Sequence, residues 1–576
     1  MSHSNLLFIM KKVYIIALLL TLTFSLSGCY DLDRTPADQL SSGTFFKTQE
    51  HADEAMMGVY NMLQNENVFG LQFSMDCLGG IGFGYDNASY QTIQRGIYDV
   101  KSSQVASKWS NLYEAIARAN IVLQNVDKCD MSDELKSQYK AEAKFLRGLF
   151  YFTLMDFFGG VPIYDETFVV ADNFNKMMNP RNSKDEVRTF VLKDLDDAIA
   201  GLPEQWNSSN YGRATKYAAI ALKGKVLLYN KQYQEAADCF QQVIESGKFA
   251  LYKDYAGLFK PGGDESSEMI FAIQNMGGVG TDHGMPMAFY MGTRETYGSD
   301  WNNVMVAQDF VDSYEYKDGR PFNWDDWFPG VMESKTNKAR INVFRSTLSS
   351  GKVTKYAEGK EKLLEMYQQR DPRMMATVIL PYTTYKGWYA NAPEDCEFVI
   401  APSIISGKGY IRVNQNFEAY LWRKFVPEYD MDGAINNRAD TPINFPLIRY
   451  ADVLLMMAEC ENELGHQDLA VSLINQVRER VGMPGINSGP DYLKANSKEE
   501  VFERIKHERA VELAGEGHSF SDLKRWGLLE TLNGRGEYDI TGKFRYTRSV
   551  TERDYLWPIP ADEREKNPNL EQNPGW

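Results

Sequence analysis

The chain has 576 residues, 43% of them hydrophobic, enough to bury a large core. Its 78 acidic residues outnumber 62 basic ones, for a net charge of −16. That balance makes nucleic acid a poor partner, and it argues against a highly anionic ligand unless a local basic pocket overrides it.

Lys11 and Lys12 precede the apolar run 13–22, which leads to Leu26-Ser27-Gly28-Cys29. A positive start, a short apolar stretch and small residues before a cut site predict a secretory signal over 1–28. The run is too short for a spanning helix. The small pair followed by Cys29 predicts a lipoprotein, in which Cys29 is acylated, becomes the mature N-terminus and anchors the chain to a membrane. Residues 29–47 read as an extended leader with acidic positions beside the anchor.

Thr48 predicts the cap of a first helix with Ala52, Ala55, Met56, Val59, Tyr60 and Leu63 on its inner face. A Gly-rich, aromatic stretch without helical period follows, over 70–105. Trp109 opens a second helix with Leu112, Ile116, Ala119, Ile121 and Val122. Ser132, Asp133 and Glu134 start a long third helix that Gly159-Gly160 and Pro162 stop. Ser183 and Glu186 form a capping box for the next one. Over 214–244, Ala221, Gly224, Leu228, Tyr233, Ala236, Ala237 and Phe240 fall where a tetratricopeptide-like helix pair needs small residues at the crossing and a ring to fill it. A second such hairpin spans 449–482, with Ala451, Leu454, Leu455 and Ala458 facing Ala470, Leu473, Ile474, Val477 and Val481. Ser497 with Glu500 caps a further helix. The expected architecture is mainly α: helix pairs over 48–127, 133–200, 214–246 and 447–482, with an irregular α+β insertion at 255–446. The residues 447–576 should pack as one unit with 48–254.

The six cysteines, Cys29, Cys77, Cys129, Cys239, Cys396 and Cys460, are scattered, with no metal-type pairs. They set up no disulfide framework, although one pair is compatible with them. Six histidines without H-E-x-x-H spacing give no zinc signature, and no P-loop or G-x-S-x-G is present. No cofactor is expected.

The insertion is dense in aromatics. Phe289, Tyr290, Tyr297, Trp301, Phe310, Tyr314, Tyr316, Phe322, Trp324, Trp327 and Phe328 lie between His283 and Val331, well above the chain's 13%. Phe310 and Tyr314 are helically spaced with Val306 and read as core. Tyr290, Tyr297, Trp301, Trp324 and Trp327 are candidates for ligand contact, against the simpler reading that they pack a region poor in helix-spaced aliphatics. Rigid rings suit the apolar face of a sugar, while Arg294, Asp300, Asn302 and Asn303 beside them suit its hydroxyls. Trp388, Tyr389 and Trp422 are next in line. A second candidate is the loop 79–98, where glycines permit close approach and Phe83, Tyr85, Asn87, Tyr90, Gln91 and Arg95 supply rings and polar groups. Glu508, Arg509, Glu512, Glu516, Asp522, Lys524 and Arg525 alternate in sign around a helix and the turn after it. Such a set reads as an ion-pair network rather than as the opposed carboxylates of a glycosidase.

The segments RYADVLLMMAECENELG (449–465), ERAVELAGEGHSFSDLKRWG (508–527), LWPIP (556–560) and NPGW (573–576) resemble the SusD/RagB family of surface lipoproteins of Bacteroidetes. The resemblance implies a non-catalytic, cell-surface protein on the outer membrane. It would bind an oligosaccharide and hand it to a SusC-like TonB-dependent transporter. It also implies that the loop between the first two helices joins the insertion at the ligand, which by position points to Tyr85, Asn87 and Tyr90. Peptide uptake on the RagB pattern, surface glycoside hydrolysis and a protein-binding scaffold are the alternatives.

Overall fold

The computed structural model describes residues 45–169, 173, 177–278, 283–333 and 337–576. The predicted signal, Cys29 and most of the leader lie outside the described residues. Helix α1 (Gln49–Asn61) starts at Thr48, whose hydroxyl accepts from the His51 N–H, and it buries Ala52, Met56 and Val59. Helix α2 (Ser103–Asn125) begins ahead of Trp109, because Val105 and Lys108 are buried too. Its buried stripe runs through Leu112, Ile116, Ala119 and Leu123. Ile121, expected among its apolar positions, lies off that stripe and is 42% exposed.

Helix α3 (Asp133–Phe158) is capped by Ser132 and stops at Gly159, whose φ of 75° is in the left-handed region. The capping box of α4 (Lys184–Gly201) is complete: Ser183 Oγ accepts from Glu186 N at 3.2 Å, and Glu186 Oε2 accepts from Ser183 N at 2.7 Å. Helices α5 (Lys216–Tyr229) and α6 (Tyr233–Glu245) cross at Gly224, where a Cβ would stand 2.6 Å from the Phe240 ring. Only glycine lets the two backbones approach with that ring between them. The C-terminal helices are α7 (Tyr450–Leu464), α8 (Gln467–Arg480), α9 (Lys498–Glu512) and α10 (Ser519–Trp526). Each helix packs on the next from α2 to α6, α6 packs on α7, and α7 on both α8 and α9. The array is therefore continuous across the insertion that separates α6 from α7 in sequence. The fold is mainly α, a tetratricopeptide-like scaffold of helix pairs.

The described strands are short and pair only in twos. Those that matter here are β1 (Gly82–Gly84), β2 (Met269–Ile273), β3 (Val304–Val306), β4 (Thr384–Tyr389), β5 (Ala392–Glu397) and β6 (Phe445–Arg449). The antiparallel pair β2–β6 closes the two ends of the insertion against each other. The pair β1–β3 joins the loop between α1 and α2 to the middle of the insertion, with Gly82 opposite Val306 and Gly84 opposite Val304. Among the described residues no helix is long and apolar enough to cross a membrane. Cys77, Cys129, Cys239, Cys396 and Cys460 are all free and buried.

The insertion is fastened to the helices by charge. Glu512, at the end of α9, accepts from Arg449 Nη1 at 2.8 Å, from Arg480 Nη2 at 2.5 Å and from Arg373 Nη1 at 3.1 Å. Glu508 accepts from Arg373 and, at 3.2 Å, from Arg478. Glu516 accepts from Arg449 and from Lys424 Nζ at 2.7 Å. Arg373 also pairs with Asp371 at 2.6 Å, and Arg449 with Glu268 at 2.6 Å. All of these side chains are fully or almost fully buried. Arg509 pairs with Asp452 and Asp522, Lys524 with Asp156, and Arg525 with Glu459 and Asp522. The alternating C-terminal charges are thus structural, and their carboxylates are occupied by cations instead of facing a cleft.

Burial alone would raise the Glu512 carboxyl, but Arg480, Arg449 and Arg373 pull it well below the usual carboxylate range. Below about pH 4.3 the unfolded chain takes up a proton there that the folded chain refuses. The contribution of Glu512 is therefore whole at neutral pH and is lost as pH falls toward the depressed folded value. Glu512→Gln should cost about 3–5 kcal/mol at pH 7, because it leaves three buried arginines short of an anion. The gap from wild type should narrow below about pH 4, at roughly 1.4 kcal/mol per pH unit. Denaturant unfolding of both proteins at each pH checks this, and a gap that is small at pH 7 or widens in acid would contradict it.

Candidate functional site

The β1–β3 pair sets the site. Tyr85 follows β1 directly, and Trp301, Asn302 and Asn303 precede β3. Gly84 allows the approach: a Cβ there would lie 2.3 Å from the Asn303 carbonyl oxygen. Tyr85 Oη donates to the Trp301 carbonyl at 3.0 Å and accepts from Asn414 Nδ2 at 2.9 Å. The Tyr85 ring stacks on Phe417, with centroids 4.8 Å apart and planes at 19°. Asn414 N donates to Asn302 Oδ1 at 2.7 Å, and Asn303 donates to the Asp86 carboxylate. Three segments distant in sequence, around 85, 301 and 414, are thereby locked together.

Trp301 stands out of this junction. It is 39% exposed, an unusual position for an indole in a well-packed region. Its backbone N–H donates to the Phe289 carbonyl at 3.0 Å, and the Phe289 ring lies 5.1 Å from the indole at 43°. Tyr290 adjoins Phe289 with centroids 4.9 Å apart and donates from Oη to Glu66 at 3.3 Å. Behind Trp301, Asp300 is fully buried and neither of its oxygens has a hydrogen-bond partner. Burial pushes its pKa well above the carboxylate range, opposed by Arg438 and Arg294. Burial likewise raises Tyr85 and Asp86, each opposed by the amide side chain it bonds, Asn414 and Asn303. The junction presents an exposed indole with flanking rings, amides and hydroxyls, and the Arg294 and Arg438 guanidiniums beside the indole. That combination can hold the apolar face of a polar ring by stacking and its rim by hydrogen bonds. Among the described residues no group of acids, histidines and cysteines is placed to hold a metal ion.

The candidate residues separate into groups. Tyr85, Tyr290 and Trp301 are brought together. Asn87 is exposed next to Asp86, and its carbonyl accepts from Gln104 Nε2 at 2.5 Å. Tyr297 is partly buried and packs edge-on against Trp388 at 5.1 Å, a neighbouring cluster built on β4. Trp327 is partly buried and donates from Nε1 to Tyr316 at 2.9 Å, in a separate nest of aromatics. Two candidates are corrected. Tyr90 is 3% exposed, held at a positive φ of 56° with its ring near Trp557, and Trp324 is 6% exposed between Phe322 and Phe344. Both rings are spent on the core and have no face to offer. Trp422 is fully buried as well. Asn414, Phe417 and Arg438 escaped the sequence reading. The one signal was the polar–aromatic run Asn414-Gln415-Asn416-Phe417 inside the insertion, which no local period connects to Trp301.

Comparison with known proteins gives the junction its context. The model of the SusD family matches residues 267–576, and a model described as starch-binding associating with outer membrane matches 32–228. SusD-like protein P25 of Formosa agariphila is 26% identical, with 97% of this chain and 98% of that protein covered. The starch-binding protein SusD of Bacteroides thetaiotaomicron is 23% identical, over 98% of this chain and 99% of its own. Among solved structures, a SusD-like protein from Bacteroides fragilis superposes with a TM-score of 0.73 at 23% identity, over 94% of this chain and all of that one. A laminarin-binding SusD-like protein superposes with a TM-score of 0.63 at 23% identity, over 92% of this chain and all of that one. With both the helix array and the C-terminal segments accounted for, the chain belongs to the SusD/RagB family.

Proposed function

We propose that this protein captures an oligosaccharide at the cell surface and delivers it to a SusC-like TonB-dependent transporter, without cleaving it. Acyl chains on Cys29 hold it on the outer membrane, facing the exterior. The observation that carries the binding role is the convergence of the 79–98 loop and the insertion on one exposed indole, Trp301, locked by Tyr85 and Asn414. Family membership supports it, as do relatives described as starch-binding and laminarin-binding. A pyranose laid on Trp301 buries its C–H face on the ring, while neighbouring amide and hydroxyl groups meet its rim. The C-terminal acids favour binding over hydrolysis, because they are buried against arginines. Passing ligand to a barrel calls for a large matching surface, as stable complexes bury about 1,200 Å² or more.

Trp301→Ala should fold normally and lose about thirtyfold in affinity for whichever glycan of a plant, host and microbial panel the wild type binds, since an anchoring ring contributes roughly 2 kcal/mol. Trp324→Ala should instead lose about 3–5 kcal/mol of stability through the cavity it leaves. Calorimetric titration with thermal melts separates the two, and unchanged binding by a folded Trp301→Ala would move the site elsewhere. Radiolabelled palmitate should enter the wild type and not Cys29→Ala; equal incorporation would remove the anchor. Mild detergent extraction of native membranes should recover the protein with a large β-barrel, and recovery only as a free monomer would count against the transporter.

A further inference from the structure

We propose that the glycan held at Trp301 is anionic, carrying carboxylate or sulfate groups; this rests on the reading of the junction as a glycan site. Two guanidinium groups flank the indole, Arg294 with its Cζ 6.0 Å and Arg438 with its Cζ 5.6 Å from the ring centroid. Arg438 also lies 4.6 Å from the Phe289 ring. The two come from distant segments and converge on one acceptor: the Ser299 carbonyl accepts from Arg294 Nη1 at 3.4 Å and from Arg438 Nη1 at 3.0 Å. Their other acceptors are also neutral, Asn414 Oδ1 at 2.8 Å for Arg294 and the Gly298 carbonyl at 3.3 Å for Arg438.

Among the described residues neither arginine is in an ion pair. Elsewhere in the insertion Arg370 and Arg423 also lack an ion pair and donate to backbone carbonyls, but neither stands beside an exposed ring, and other arginines are paired. Arg320 is paired with Asp326, Arg412 with Glu295 and Arg345 with Glu418. In a chain with 78 acids against 62 bases, two like charges that share a single carbonyl beside an exposed indole, with no carboxylate hydrogen-bonded to either, need another reason. Asp300 is near enough for both arginines to oppose the effect of burial on its carboxyl, but it is sealed inside and hydrogen-bonds to neither; Glu295 is paired with Arg412, and Asp86 and Glu66 are engaged by Asn303 and Tyr290. Cation–π contact with Trp301 and Phe289 orients the guanidiniums without neutralising them. Both side chains are half-buried, so an anion bridging them would be attracted more strongly than in open water. The planar guanidinium fork matches a carboxylate or a sulfate in two-point contact. The site is then the local basic pocket that overrides the acidity of the chain.

The test uses the full mature chain and matched glycan pairs: polygalacturonate against its methyl ester, and a sulfated galactan against its desulfated form, with starch and a neutral β-glucan alongside. Retardation in polysaccharide-loaded native gels and calorimetry should show one charged member bound at least about tenfold more tightly than its neutralised partner. Which pair responds distinguishes carboxylate from sulfate. Raising NaCl from about 0.05 to about 0.5 M should weaken that binding. Arg438→Gln and Arg294→Gln should each weaken it about tenfold, with Arg438→Lys intermediate. Equal binding of charged and neutralised partners, or tight binding of a neutral glucan that Arg438→Gln leaves untouched, would overturn the charge inference while leaving the glycan reading in place. Retention of no glycan in the panel would overturn the glycan reading and this one with it. The wild-type comparison of matched pairs decides the question even if a variant fails to fold.

Discussion

The structure depends on a charge cluster sealed from water around the end of α9. Removing a carboxylate or guanidinium from water costs several kcal/mol, and the cost is offset only where each charge meets opposite charges at good geometry. That condition is met here by sharing. Glu512 is bonded by three arginines, and Arg449 by three glutamates. The groups come from every part of the fold that must be brought into register: Glu268, Asp371, Arg373 and Lys424 from the insertion, Arg449 just before α7, Arg478 and Arg480 from α8, and the glutamates from α9 and the turn after it. An insertion whose strands pair only in twos has no sheet to hold it rigid. The directional hydrogen bonds of the cluster specify where its segments sit on the helices in a way that apolar contact alone does not.

From that anchorage the binding junction follows by steps. The cluster fixes Arg449 and, with it, β6; β6 pairs with β2 and closes the insertion at its base. Within the closed insertion β3 meets β1, and this brings the loop between α1 and α2 against the segment carrying Trp301. Tyr85 and Asn414 then tie the three strands of chain at the junction. The exposed ring therefore rests on a series of polar contacts, each satisfied by a partner far away in sequence. Such a support keeps an indole in place without covering it, which is what a shallow binding platform needs.

The aromatic richness of the insertion serves two ends that composition does not separate. Where helix-spaced aliphatics are few, rings such as Trp324, Tyr314 and Trp422 fill the interior. Only a minority reach the surface, and among these Trp301 combines exposure with flanking polar and cationic groups. The same division holds for the arginines. Most described arginines balance a carboxylate, some such as Arg370 are spent inside on backbone carbonyls, and Arg294 and Arg438 turn toward neutral oxygens and rings beside the exposed indole.

Local sequence was sufficient for the helices, because caps and apolar periods act over one or two turns. Ser132, Ser183, Ser497 and the small residues at Gly224 place α3, α4, α9 and the α5–α6 crossing without knowledge of the rest. The C-terminal alternation of charge announced an ion network, although not its partners in the insertion. Errors arose where a residue could serve more than one neighbour. Ile121 is apolar yet faces outward, and Tyr90 and Trp324 carry rings that could stack on a ligand but instead fill the core. Asn414, Phe417 and Arg438 could not be joined to Trp301 at all, since their meeting is decided by the β1–β3 pairing and the closure of the insertion. Periodicity records which face of an element is buried; which side chain is left exposed, and beside which charge, is settled only when distant segments compete for the same interior space.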